Sequence, residues 1–216
     1  MEIFSVADDR VHARAMQEEW TWAFWAADAS IGGFTSYRLI GGSEAWYAWA
    51  LARSGQPLLH VTEWDIPRRS DPMVAKAPAM WAEFICEAPF EQWTVGNETY
   101  AVELEDPSES LGRGYGTAVP VASDYEWYSL ANRPVAIDHG YRQAGVVHGT
   151  VELASGRLEL TELRAVRTHR WSLDGALPPL RFPRAIAHVG LRAPFRYPDG
   201  TTLDLVLTAS GWCARR

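Results

Sequence analysis

The side chains best equipped for chemistry lie in residues 141–174, YRQAGVVHGTVELASGRLELTELRAVRTHRWSLD. Tyr141 and Gln143 precede a stretch with the pattern V-x-G-x-V. A tight turn follows, and a second extended stretch leads into Arg167-Thr168-His169-Arg170-Trp171. Histidine gains or loses a proton near neutral pH and is tuned by its surroundings, so His169 is the candidate general acid or base. Arg167 can orient a carbonyl or carboxylate, and the face of Trp171 can steady a developing cation. The competing reading is a buried polar latch, in which Arg167, His169 and Trp171 close a barrel.

Asp124 and Glu126 are two positions apart in an extended stretch and share a face. Lining a cavity they form an acid/base pair; facing water they are ordinary charged residues. His148 lies opposite the apolar face of its strand, either at the surface or as a pocket donor. Trp20 and Trp22 share one strand face, whereas Trp46 and Trp49 fall on opposite faces, so the tryptophans cannot all serve one pocket. Tyr37, Tyr47 and Tyr100 supply pocket hydroxyls or core packing. Glu63 and Asp65, on either side of Trp64, read as solvated. The candidate catalytic groups are therefore His169, Glu126 and Asp124. The candidate ligand contacts are Arg167, Trp171, Trp20, Trp22, Tyr141 and His148.

The six histidines, His12, His60, His139, His148, His169 and His188, form no HxH or HxxxH pair. A metal site would need the fold to gather residues such as His60, His148 and His169, and no metal is expected. There is no dinucleotide, phosphate-loop, zinc-protease or nucleophile-elbow signature, and no cofactor is expected. Gly112-Arg113-Gly114-Tyr115-Gly116 is glycine-rich but joins no strand to a helix, so it is not a phosphate cradle.

These residues must be positioned by strands. Period-two patterns cover residues 18–27, 34–40, 44–53, 58–65, 81–88, 98–104, 119–128, 144–153, 157–166, 193–197 and 202–209, with shorter extended runs at 90–95 and 184–191. In 18–27, Trp25 interrupts the polar side, which suggests a strand buried on both faces. Turn signals stand between the runs: Gly96-Asn97, Ala154-Ser155-Gly156 and Asp199-Gly200 are read as hairpins. Residues 66–79, 106–117 and 171–183 read as loops. The first 17 residues allow a short helix, with Val11, Arg14, Ala15 and Glu18 at helical spacing. About a dozen short strands spaced near ten residues point to an all-β, antiparallel, calycin- or lipocalin-like barrel over residues 1–216, because closure removes exposed edges. Such a barrel is wide enough for one small ligand.

Eleven tryptophans in 216 residues exceed the roughly three that average usage supplies. They build an aromatic core, an aromatic pocket, or both. The formal net charge of −7 argues against nucleic acid or an anionic membrane as partner. The basic clusters Arg164/Arg167/Arg170 and Arg181/Arg184 read as solvated surface. Cys86 and Cys213 show no metal spacing, and a disulfide between them is unsupported. No leader and no apolar run long enough to span a membrane is evident, so a cytoplasmic location without integral membrane association is expected.

Tyr141, Gln143, Gly149, Val151, Arg167, His169 and Trp171, in that order, resemble the carotenoid hydratase (hydroxyneurosporene synthase) and AttH-like group. Its members carry Y-x-Q, G-x-V and R-D-H-S-W-G runs; Thr168, Arg170 and Ser172 depart from that pattern. The upstream tryptophan-bearing strands and Gly32-Gly33 also look like the group's N-terminal barrel. The resemblance implies linked calycin-like barrels and relatives that close decalin rings or hydrate polyenes. The expected function is binding of a lipophilic small molecule in an aromatic-lined barrel, with cofactor-independent cyclase, isomerase or hydratase chemistry on a terpenoid or polyketide. The alternative is a non-catalytic carrier or sensor using the same pocket.

Overall fold

A computed structural model describes residues 4–112, 115–131, 133–185 and 189–215. His188 and the Arg113-Gly114 part of the glycine-rich loop lie outside them. In chain order come a 3-10 turn at Val6–Asp9, strands β1 (Gln17–Trp25), β2 (Ile31–Ile40), β3 (Glu44–Arg53), β4 (Leu58–Pro67), β5 (Val74–Ala77), β6 (Met80–Ala88) and β7 (Gln92–Leu104), and a second 3-10 turn at Pro107–Leu111. Then follow β8 (Thr117–Ser129), β9 (Val135–Ile137), β10 (Gly140–Leu153), β11 (Gly156–Ser172), β12 (Arg192–Arg196), β13 (Thr202–Thr208) and β14 (Gly211–Ala214).

The protein is all-β and antiparallel. Strands β4, β3, β2, β1, β11, β10, β8 and β7 are neighbours in that order, and β7 returns to β4. The result is a ring, but not a regular barrel. It closes only where Leu58–His60 meet Val102–Leu104, while the earlier part of β7 pairs with β6, and β6 with β5. A separate sheet, β12-β13-β14, packs outside the ring.

Strand β1 shows why the chain folds this way. Alternation sends Trp20, Trp22 and Phe24 into the ring with Tyr37, Tyr47, Trp49 and Tyr125. The other face sends Ala23 and Trp25 outward, where Phe195, Leu205 and Trp212 of the outer sheet cover them. A strand apolar on both faces needs cover on both, which explains Trp25. Strand β3 splits likewise: Trp49 points inward and Trp46 outward.

The hollow interior expected of the barrel is replaced by packing. Trp20, Trp22, Trp49, Trp93 and Trp127 have 0–1% of their surface accessible. A water-sized void beside them would expose part of each ring, so these five indoles sit in packed surroundings. Two sizeable cavities, of about 530 and 610 Å³, lie on the outside.

Four local expectations are corrected. Residues 6–9 form a 3-10 turn and residues 10–16 are irregular rather than helical, because Asp9 and His12 spend their side chains on partners in the ring. Gly96-Asn97 is no hairpin. Strand β7 runs straight through it, since Asn97 points inward, donates to Tyr47 Oη (2.6 Å) and accepts from the Ser123 hydroxyl (2.7 Å). The turn comes earlier, at Phe90, whose φ is 62°. Strand β11 runs on past the expected end at 166 to Ser172, so Trp171 and Ser172, the start of the expected 171–183 loop, are strand. Part of the 184–191 run, residues 186–188, lies outside the described residues; its described residues form no strand, with Arg184 in an isolated bridge to Ala214 and Leu191 accepting from the Leu207 N–H.

Candidate functional site

Two polar centres are built on opposite faces of β1 and β11. The inner one gathers most of the residues expected to do chemistry. Arg167, fully buried, points into the ring. Its Nη1 donates to Asp9 Oδ1 (2.6 Å), and its Nη2 donates to Gln143 Oε1 (2.6 Å) and Tyr141 Oη (3.2 Å). Its guanidinium carbon lies 5.0–5.4 Å from the ring centroids of Trp93, Trp127 and Tyr141, an aromatic cage that favours a cation. Asp9 also accepts from the Phe90 backbone N–H (2.5 Å) and Trp93 Nε1 (3.1 Å), and the Tyr141 hydroxyl donates to it. Burial pushes the Asp9 carboxyl up, but the Arg167 guanidinium and these donors hold it below its usual range. Burial and the Asp9 charge push the Tyr141 phenol far up, so it stays protonated.

His169 sits next to this pair. Its Nε2 is 2.8 Å from Glu18 Oε1 and its Nδ1 3.2 Å from Tyr141 Oη. The ring is fully buried and stacks on Trp20 at 4.6 Å. Burial pushes its pKa down, against the pull of Glu18. Glu18 Oε1 is also 2.7 Å from Nδ1 of His12, whose ring stacks on Trp171 at 4.1 Å. Burial raises the Glu18 carboxyl, and its two imidazole partners more than offset that. His12, Glu18 and His169 thus place three ligand-type atoms within 4.8 Å of one another.

The outer centre is a second buried acid. Glu19 accepts from Arg38 at Oε1 (Nε 3.1 Å, Nη2 2.6 Å) and from Arg170 at Oε2 (Nε 3.0 Å, with Nη2 also donating). Burial opposes its charge, and the two guanidiniums pull its pKa down to about 2. Tyr197 covers Arg38 at 5.3 Å, and the Pro178 carbonyl accepts from Arg170 Nη1 (2.9 Å).

Beside this centre opens a cleft of about 530 Å³ between β1, β11, the β9–β10 turn and the strap of residues 178–183. Trp25, Val166, Phe182 and Trp212 make its apolar walls, and Thr21, Thr168, Arg142 and Arg170 its polar floor and edge. The Thr21 and Thr168 hydroxyls are 2.5 Å apart. Arg142 is exposed. Trp25, 8% exposed, has an indole N–H without a hydrogen-bond partner. Arg181 of the strap and Asp138 of the turn, both solvent-exposed, approach to 3.9 Å.

The remaining expected residues fall elsewhere. Asp124 and Glu126 do share a face, but it is the outer one: Asp124 is exposed, and Glu126 accepts from Gln92 Nε2 (3.0 Å) and Tyr128 Oη (2.8 Å). His148 pairs with Glu126 across β10 and β8 on the same outer face, near Tyr128. Neither lies near His169, because Tyr125, Trp127 and Val147, their strand neighbours, fill the ring between. Trp20 and Trp22 point inward as core residues; Trp22 stacks on Phe84 at 5.3 Å. Tyr37 donates to the Pro72 carbonyl (2.7 Å), and Tyr100 is exposed. His60 is buried on the outer face of β4, against Phe195, apart from His148 and His169. Arg167 and Arg170, read as solvated surface, are both buried; only Arg164 of that cluster is exposed.

Asp9, His12, Glu18, Glu19 and Arg38 carry these centres and were not singled out from sequence. One signal was present: two adjacent acids open a strand that is otherwise aromatic, where an unpaired charge cannot stay.

No family model matches the chain. No curated protein matches it either.

Proposed function

We propose that the protein binds a lipophilic small molecule with an anionic or hydrogen-bond-accepting head, in the outer cleft, as a carrier or sensor. The observation that carries this reading is the cleft itself. Its volume of about 530 Å³ lies in the range of small-molecule sites, roughly 300–1,000 Å³, which are mostly apolar with a few placed polar groups. The walls supply two indoles and Phe182. Arg142 supplies the charged donor, and the exposed Arg181–Asp138 contact is a weak closure that opens readily.

Cyclase, isomerase or hydratase chemistry through His169 is less well supported. Both nitrogens of that ring face protein partners and the ring is enclosed. The geometry there favours the latch.

Dodecanoate and its uncharged analogue dodecanol, titrated against tryptophan fluorescence, test this. Dodecanoate perturbs the emission saturably, and Arg142→Glu weakens its binding at least tenfold while changing dodecanol binding little. Absence of saturable binding, or equal loss for both probes, overturns the reading.

A further inference from the structure

The inner centre presents a proton-counting problem that points beyond a hydrogen-bonded latch. The Tyr141 hydroxyl has one proton. It donates that proton to Asp9 and receives one from Arg167 Nη2. The Asp8 carbonyl at 3.4 Å is also only an acceptor, so the remaining neighbour, His169 Nδ1 at 3.2 Å, must then be a donor. A neutral imidazole with its hydrogen on Nδ1 carries a bare lone pair on Nε2. That lone pair faces Glu18 Oε1 at 2.8 Å, and a carboxylate oxygen is only an acceptor. Something positive belongs between them. On the far side of the same oxygen lies His12 Nδ1, 2.7 Å away.

We propose that His12, Glu18 and His169 form a binding site for one divalent transition-metal ion of the zinc, cobalt or nickel type. Two imidazole nitrogens and one carboxylate oxygen are the donor set such ions take, and three protein donors are the usual complement of an open site. Ligating histidines use a partner on the other ring nitrogen. His169 Nδ1 has one in Tyr141, which is anchored on Asp9. His12 Nε2 makes no hydrogen bond, with the Asp8 carboxylate 3.6 Å away. Both rings stack on indoles, His169 on Trp20 and His12 on Trp171.

The fit requires a modest opening. Bonds of about 2.1 Å in tetrahedral geometry set ligand atoms about 3.4 Å apart, against 2.7 and 2.8 Å between Glu18 and the two rings. Glu18 and His169 are fixed on paired strands. His12 lies in the irregular segment before β1, with 18% of its side chain accessible, and is the ligand free to shift. This site is independent of the outer cleft.

The test uses the full chain without an affinity tag, stripped with a chelator and titrated with zinc by calorimetry and with cobalt by visible absorption. The expected result is one ion per chain, a cobalt ligand-field spectrum of low-coordinate N/O type, and at least a 100-fold loss of affinity in His12→Ala. His139→Ala, on the β9–β10 turn, binds like the parent. If His12→Ala does not fold, His12→Gln takes its place, and the cobalt spectrum of the parent chain decides without any variant. Absence of stoichiometric binding, an octahedral aquo-like cobalt spectrum, or undiminished binding in the His12 variant overturns the proposal. The positive charge between His169 and Glu18 is then a proton.

Discussion

The two faces of β11 make opposite use of the same residue types. Inward, Arg167, His169 and Trp171 meet Asp9, Glu18, His12 and Tyr141 in one hydrogen-bonded group, with Arg167 Nε and His12 Nε2 buried and without a hydrogen-bond partner. Outward, Val166, Thr168 and Arg170 sit one position away and border a cleft beside Trp25 and Trp212. Both faces bury a charge-paired acid, Asp9 inside and Glu19 outside. The inner acid arrives from a turn that plugs the ring, whereas the outer acid belongs to the ring wall and leaves space beside it. Chemically equipped residues therefore need not mark the accessible site. On this strand they mark the closed side.

The sharpest way to break that comparison is to remove the plug's anchor. Asp9→Ala leaves the Arg167 guanidinium buried without a counter-charge and strands the Phe90 and Trp93 N–H groups. Loss of one partner of a buried pair costs about 3–5 kcal/mol, so urea denaturation will show an unfolding free energy lowered by that amount, with a correspondingly lower midpoint. A loss below about 1 kcal/mol would mean that the inner face is not the locked one.

Acid separates the two faces next. His60 lies between the ring and the outer sheet, with Nε2 3.0 Å from the Pro194 carbonyl, and burial pushes its pKa down to about 4. Unfolding returns it to about 6.5, so between roughly pH 6.5 and 4 the unfolded chain binds the extra proton. Stability falls as pH falls through that window, by on the order of 3 kcal/mol, and this contribution is flat above it. Denaturation midpoints measured at pH 7, 5.5 and 4 will show the slope, and His60→Gln will reduce it, leaving the share of His169, whose pKa burial also lowers. Glu19, held near 2, keeps its full contribution above its unfolded value of about 4.3 and loses it progressively as pH falls from there towards 2.

The smallest effect is expected farthest from both centres. Asp124→Asn and Glu126→Gln lie on the solvent face of β8, and surface changes there stay within about 0.5 kcal/mol. Thermal unfolding and dodecanoate titration should both be unaltered. A clear loss of ligand binding in either variant would move the site to β8.

Period two made most of this legible. It set Trp20 beside Trp22, put Trp46 opposite Trp49, flagged Trp25 as evidence of a strand covered on both sides, and placed Asp124 with Glu126. It could not say which face was inside when both were covered, as at Arg167 and Arg170, because burial of a charge depends on a partner far along the chain. Asp9 reaches Arg167 across 158 positions, and nothing local announces that. Asn97 shows the same limit: its preference for turns yields to inward partners on β3 and β8.

The seam between β4 and β7 has a consequence for assembly. Strands β1 to β4 form one meander, and β7, β8, β10 and β11 another; each is made of short-range pairings that form early. Two joints then weld the halves. The β1–β11 joint runs over nine residue pairs, the β4–β7 joint over three. The shorter weld is the last to set and the first to part, so fluctuations that bring solvent to the packed tryptophans begin at Leu58–His60.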